Sequence, residues 1–291
     1  MINNQSIVKT PASCGELLQG VINEQFLLVP CPINFYSTVT VKIDASTQIK
    51  CPSEYPKSKK AVRATLEYFN LDKIGAIISI KNPIPKSKGL GSSTADITSA
   101  IAATARATNN IIRPEEIAKI AVSIEPSDAT MFSEITAFAH QSGSIIETLG
   151  GLPTMEILAF DFGGLVDTIE YNKTDRFNQW NFFEHETIKA MENIRNGISN
   201  RSIKLIGKGA TINAITSNKI APNERLSQMI EFAAEIQSAG VSIAHSGTYI
   251  SILLDPSEKR STSVMKQAQS EFTDIKNINH FRTVSPGPIY I

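Results

Sequence analysis

The run Pro85-Lys86-Ser87-Lys88-Gly89-Leu90-Gly91-Ser92-Ser93-Thr94-Ala95 constrains this chain more than any other stretch. It follows a β-branched, strand-like segment at 74–81 and opens into small and apolar residues at helical spacing: Ile97, Ala100, Ile101, Thr104 and Ala105. A strand that ends in glycines and re-enters the fold as a helix brings unpaired N–H groups and the positive end of a helix dipole to one point. Glycine also lets the backbone approach an anion closely. Such a turn is suited to phosphate, so nucleotide binding is the first expectation. It is not a P-loop, because no lysine follows Gly91, and it is not the Gly-x-Gly-x-x-Gly of a dinucleotide fold. The hydroxyls of Ser92, Ser93 and Thr94 crowd the first helical turn, one to cap the helix and the others for phosphate oxygens or Mg²⁺.

The rest of the composition narrows the class. Twenty-eight basic residues balance twenty-eight acidic ones, which gives no long-range field for gripping nucleic acid or an anionic membrane. The expected partner is a small molecule, with no nucleic acid and no membrane. No stretch approaches the ~20 apolar residues of a membrane span, and residues 1–10 lack a signal-peptide core, so a cytoplasmic location is expected. Cys14, Cys31 and Cys51 are too sparse for a disulfide framework or a zinc pair, and the four histidines are scattered, so no structural metal is expected.

Along the chain, 26–29 and 36–43 alternate as strands, 51–60 reads as an exposed loop with prolines and lysines, and 61–70 as a short helix. Pro114-Glu115-Glu116 opens a helix whose stripe of Ile117, Ile120, Ala121 and Ile124 ends at Pro126, which leaves Glu125 and Asp128 at its end and in the next turn. Gly150-Gly151-Leu152-Pro153 marks the expected boundary between domains at 1–150 and 151–291. Beyond it come strands at 155–160 and 166–171 and helices near 182–196, 202–217 and 224–239. Short strands at 241–244 and 249–254 flank His245-Ser246-Gly247-Thr248, and a helix at 258–272 precedes a last strand. The pattern is α+β.

These residues carry a family resemblance. Pro-x3-Gly-Leu-Gly-Ser-Ser-x-Ala at 85–95 is the signature of the GHMP kinases, named for galactokinase, homoserine kinase, mevalonate kinase and phosphomevalonate kinase. The segment Pro11-Ala12-Ser13-Cys14-Gly15-Glu16-Leu17-Leu18-Gln19-Gly20 resembles that family's N-terminal motif, and Ala244-His245-Ser246-Gly247-Thr248 a variant of its C-terminal one. The resemblance implies the two-domain GHMP kinase fold, a ribosomal-S5-like N-terminal domain and a ferredoxin-like C-terminal domain with the active site between them. Within the family, Pro11 to Gly20, Cys31 to Val39 and Glu125-Pro126-Ser127-Asp128 look most like the L-threonine kinases of adenosylcobalamin synthesis. Such enzymes make O-phospho-L-threonine from ATP and L-threonine. A kinase for another small alcohol such as homoserine, and a non-catalytic ligand sensor, are the rival readings.

The resemblance implies roles residue by residue. Pro85, Lys86, Ser87, Lys88, Gly89, Leu90, Gly91, Ser92, Ser93 and Thr94 would hold the phosphates of ATP, and Ser93 with Glu125 would hold Mg²⁺, with Glu115 and Glu116 as alternatives to Glu125. Asp128 would accept or orient the proton of the substrate hydroxyl. Glu16, Gln19, His245, Ser246 and Gly247 are the candidate substrate contacts. Ser13 stands where several relatives carry a cation, which Lys86 or Lys88 would replace. The loop at 51–60 is the expected wall of the nucleotide site. Cys14 reads as a packing residue, and Asp161-Phe162-Gly163 as a turn rather than a protein-kinase magnesium motif, because no His-Arg-Asp loop precedes it. Oligomeric state stays open, a homodimer included.

Overall fold

The computed structural model describes residues 4–164, 176–245 and 248–291. Its backbone is a long hairpin, β1 (Gln5–Ile22) and β2 (Gln25–Asp44), turned by Asn23 and Glu24. Both turn residues have positive φ, 48° and 59°, the twist that a two-residue hairpin connection needs. Next come β3 (Ile49–Lys50), α1 (Pro56–Tyr68), β4 (Gly75–Lys81), α2 (Ser92–Ala107) and α3 (Pro114–Ile124). The hairpin β5 (Ile135–Ala139) and β6 (Ser144–Gly150) leads to β7 (Glu156–Asp161) and the helices α4 (Phe177–Phe182), α5 (Glu184–Ser199), α6 (Ile203–Ile220) and α7 (Glu224–Glu235). The chain closes with β8 (Gly240–Ile243), β9 (Tyr249–Leu254), α8 (Ser261–Glu271), β10 (Asn277–Arg282) and β11 (Ile289–Tyr290).

The strands join in one sheet of order β10-β7-β9-β8-β1-β2-β4-β3, with β5 on β2 and β11 on β1. The joint between the halves is Glu16 of β1 opposite Ile243 of β8. There Gly15, at φ 67°, lies so close to Ile243 that a Cβ would sit 2.6 Å from its backbone. One apolar core surrounds α1, α2 and α3, and another gathers α7, α8 and the strands beneath them. A third mixes residues of both halves, among them Leu17, Leu27, Met155, Ile194 and Leu253. α2 is the central helix: every residue except Ser93 and Arg106 is buried. Burial of a side chain such as Ile97 or Ile101 contributes about 1.5–3 kcal/mol.

Several elements differ from the sequence expectation. α1 begins at Pro56, inside the expected 51–60 loop, because proline at the first helical position gives up an N–H that has no partner there anyway. The β5–β6 hairpin is missing from the sequence reading; β5 is buried throughout, so its Ile135-Thr136-Ala137-Phe138-Ala139 lacks a two-residue alternation of exposure. The expected strand at 166–171 lies outside the described residues.

Candidate active site

The glycine loop runs from β4 to α2 and bends with positive φ at Ser87, Gly89 and Gly91 (58°, 79° and 64°). Repeated left-handed positions turn successive N–H groups toward one concave face, a form that receives anions. The expected hydroxyl cap on α2 is replaced by Gly91, which is itself the N-cap with no side-chain bond. The three hydroxyls divide the work. Ser92 Oγ donates to Ile84 O at 3.3 Å and accepts from Asn82 at 3.0 Å, which fixes the loop. Thr94 Oγ1 accepts from the Asp128 N–H at 3.3 Å, which fixes the next turn. Ser93 is left to face outward, where its hydroxyl donates to Glu125.

All of this borders one cavity of about 320 Å³, between the glycine loop, the start of α1, the turn after α3 and the β1 backbone. Glu125 caps the C-terminus of α3, and its second oxygen receives Lys57 from α1. Glu115 and Glu116 do not line the cavity; Glu116 pairs with Arg113 at the N-terminal end of α3 at 3.1 Å. The start of α1, from Glu54 to Ser58, forms one wall, and Lys86 Nζ lies 4.5 Å above the Tyr55 ring. Lys88 does not enter; it pairs with Asp161 at 2.9 Å. Asp161 also accepts from the Gly163 N–H at 2.8 Å, so Asp161-Phe162-Gly163 is a turn that anchors the loop lysine.

Asp128 stands beside the helix start so closely that a Cβ on Gly91 would lie 2.7 Å from its Oδ2. Burial, and then the charge of Glu125, push its pKa up to about 6. Glu16, mid-strand and 4% exposed, faces the same cavity with Oε2 unpartnered. Burial and the Asp128 charge raise its pKa well above the carboxylate range. Gln19 does not line the cavity. It stands behind His245, whose Nδ1 meets Gln19 Oε1 at 2.6 Å, while Asn213 bonds the Gln19 backbone on both sides. His245 borders the cavity and stays neutral, its pKa lowered to about 3 by burial, by His140 and by the charge of Arg176. Ser246 and Gly247 lie outside the described residues. The Ser13 hydroxyl is spent on Gly15 O and the Cys31 N–H. Burial lifts the Cys14 thiol to about 12, as suits a packing residue.

Lys57, Asp96 and His140 also border the cavity and were not singled out by sequence reasoning. Asp96 accepts from Ser37 and, at 2.7 Å, from Asn82. His140 follows β5 as an isolated histidine, and nothing in its local pattern marks it.

A glycine turn of anion-receiving form at a helix start, a hydroxyl–carboxylate pair and a second carboxylate, all on one cavity, are chemistry suited to phosphoryl transfer. Residues 56–139 match the model of the GHMP kinases N terminal domain, the domain of small-molecule kinases that use ATP as phosphate donor. The chain is 28% identical over 253 residues to the L-threonine kinase of Citrobacter freundii, covering 86% of each chain. Its fold is also that of the Methanococcus jannaschii mevalonate kinase, with TM-score 0.72, 18% identity and 96% and 98% of the two chains covered. The mevalonate diphosphate decarboxylase of Staphylococcus aureus superposes at TM-score 0.75 with 14% identity, covering 99% and 98%. A fold shared by kinases and a decarboxylase leaves the substrate to be argued from the site.

Proposed function

We propose that this chain phosphorylates the side-chain hydroxyl of L-threonine with ATP, giving O-phospho-L-threonine and ADP, as a cytoplasmic step toward the aminopropanol linker of adenosylcobalamin. The observation that carries the reading is the meeting of Ser93, Glu125 and Asp128 in one cavity, on a chain similar over most of its length to an L-threonine kinase.

In this reading the amides of the 85–94 loop hold the terminal phosphates, aided by the positive end of α2. Ser93 and Glu125 offer adjacent hard oxygen donors, the ligand chemistry that Mg²⁺ prefers, so they are the residues that would hold the ion. When bound, Mg²⁺ neutralises phosphate charge. Lys57, now on Glu125, supplies a cation on the same wall, the role for which sequence pointed to Lys86 or Lys88. Asp128 takes the proton from the threonine hydroxyl as that oxygen bonds to the γ-phosphorus and the bond to the bridging oxygen breaks, releasing ADP. A carboxylate with a pKa near 6 is ionised at neutral pH yet a stronger base than an exposed aspartate. Glu16 faces the substrate end, where a positive amino group balances buried carboxyls.

A coupled assay for ADP release with L-threonine, L-serine, L-homoserine and mevalonate tests the reading. Turnover with threonine at the highest kcat/KM is expected. No turnover with threonine, or a clear preference for homoserine, defeats the substrate assignment.

A further inference from the structure

The substrate end of the cavity holds a histidine to which neither the sequence nor the proposed chemistry assigns a role. His140 is 3% exposed, lines the cavity, and has no hydrogen-bond partner on either ring nitrogen among the described residues. Buried polar groups without partners are uncommon and costly, and a binding site is one place where the cost is recovered. Its position is not loose. The ring packs edge-on to Phe26 at 5.4 Å and to His245 at 5.2 Å between centroids, and its carbonyl accepts from the Ser127 N–H at 3.1 Å, next to Asp128. Glu16 Oε2, on the same cavity, is also without a partner among the described residues.

We propose that His140, with Glu16, reads the amino-acid head of the substrate: one ring nitrogen and the Glu16 carboxylate accept from its ammonium group. The inference rests on the kinase reading above and specifies the end of the substrate that is not phosphorylated. Charge selects ammonium over carboxylate. The ionisable groups at this end are Glu16 and Asp128, two acids whose pKa values burial raises, and His140 and His245, two imidazoles that burial keeps neutral; Arg176 acts on His245 as well but does not line the cavity. The lysines that line the cavity, Lys57 and Lys86, belong to the wall that carries Tyr55. A carboxylate placed first at this end meets the like charge of Asp128 and favours protonated Glu16, whereas an ammonium neutralises Asp128 and favours the ionised form of Glu16. A neutral imidazole also keeps one N–H, suited to the carboxylate on the same substrate carbon.

Two measurements test this. In calorimetric titrations of the wild-type protein, 1-amino-2-propanol, which keeps the ammonium and hydroxyl of threonine, should bind at least about tenfold more tightly than 3-hydroxybutyrate, which keeps the carboxylate and hydroxyl. Equal or reversed affinities overturn the ammonium assignment. In kinetics, His140→Leu should raise KM for the amino acid about 10- to 100-fold and leave KM for ATP within about twofold, and His140→Gln, which keeps a donor and an acceptor, should recover most of the loss. Equal changes in both KM values, or no rescue by glutamine, mean a packing role and overturn the proposal. If threonine is bound but not phosphorylated, the kinase reading fails while the titrations still decide whether His140 reads an ammonium.

Discussion

At the residue scale the decisive group is Asp128, because the same burial that suits it to the proposed role of base makes it a burden on the fold. Its pKa is raised in the folded state to about 6, so the ionised form costs stability. The cost is absent below pH ~4, grows between about 4 and 6, and is complete above that. The carboxylate keeps an edge on the open cavity, and with solvent screening the burden is about 1–2 kcal/mol. Asp128→Asn should therefore lower turnover about 10²- to 10⁴-fold with little change in ATP affinity. The variant should also melt a few degrees higher at pH 7.5, by ~2–6 °C, a gain that shrinks as pH falls toward 5. For the wild-type enzyme, kcat/KM should climb through about pH 6 and level off above 7. Thermal unfolding of both proteins at pH 5 and 7.5, beside a pH–rate profile, checks all of this; equal turnover removes Asp128 from the chemistry. Asp128 and Glu125 were legible because Pro114, Pro126 and the apolar stripe between them locate a helix end. Lys57 and His140 were not, since a lysine among loop-like residues and a lone histidine after a buried strand gain meaning only from what the fold places opposite them.

At the scale of the element, the start of α2 is where sequence and site coincide. The glycines announced a strand-to-helix turn, and the dense small residues behind them suit a helix packed on several sides; α2 is buried at every position but Ser93 and Arg106. What the pattern does not contain is the identity of the cap. Serine is a strong N-cap and glycine a weaker one, but Ser92 is needed to fasten the loop to Ile84 and Asn82, so the cap position falls to Gly91. Gly91 is required there twice over, by its φ of 64° and by the carboxylate that lies against its α-carbon. Gly91→Ala puts a methyl into Asp128 and strains the backbone, at a cost of about 1–3 kcal/mol. The expected result is a lower melting temperature, a raised KM for ATP and a kcat reduced about tenfold or more as the carboxylate is pushed off its place. Kinetics and a melting curve on this single variant suffice, and an alanine enzyme with wild-type constants contradicts the close approach. The α1 boundary slipped for a related reason. Prolines and lysines look like loop, yet Pro56 is harmless at a helix start, and Lys57 and Ser58 thereby become helix residues that face the cavity.

For the whole molecule, the sheet runs unbroken from β10 to β3, and the site lies where its two halves meet at Glu16 and Ile243. Local patterns predict strands and helices but not which strands become neighbours, because pairing depends on contacts far apart in sequence. The Lys88–Asp161 pair is such a contact. Lys88 belongs to the glycine loop and Asp161 ends β7, and both side chains are largely buried, at 14% and 13% exposure. Lys88 Nζ also donates to Gly164 O at 2.7 Å, and its carbonyl accepts from the Thr248 N–H at 3.3 Å. The C-terminal half thus holds the glycine loop at Lys88, and in the proposed reading that hold positions the loop amides for phosphate. Removing one partner strands the other charge in a poorly solvated place, so the loop must shift. Asp161→Asn and Lys88→Met should each raise KM for ATP about 3- to 10-fold while kcat stays within about twofold, since neither residue touches the reacting atoms. The double variant should be no worse than the more damaging single one, because both remove the same interaction. Steady-state kinetics on the three proteins decides the matter: an unchanged KM for ATP in both single variants means the loop is held by its own backbone, and additive losses mean that each residue acts alone.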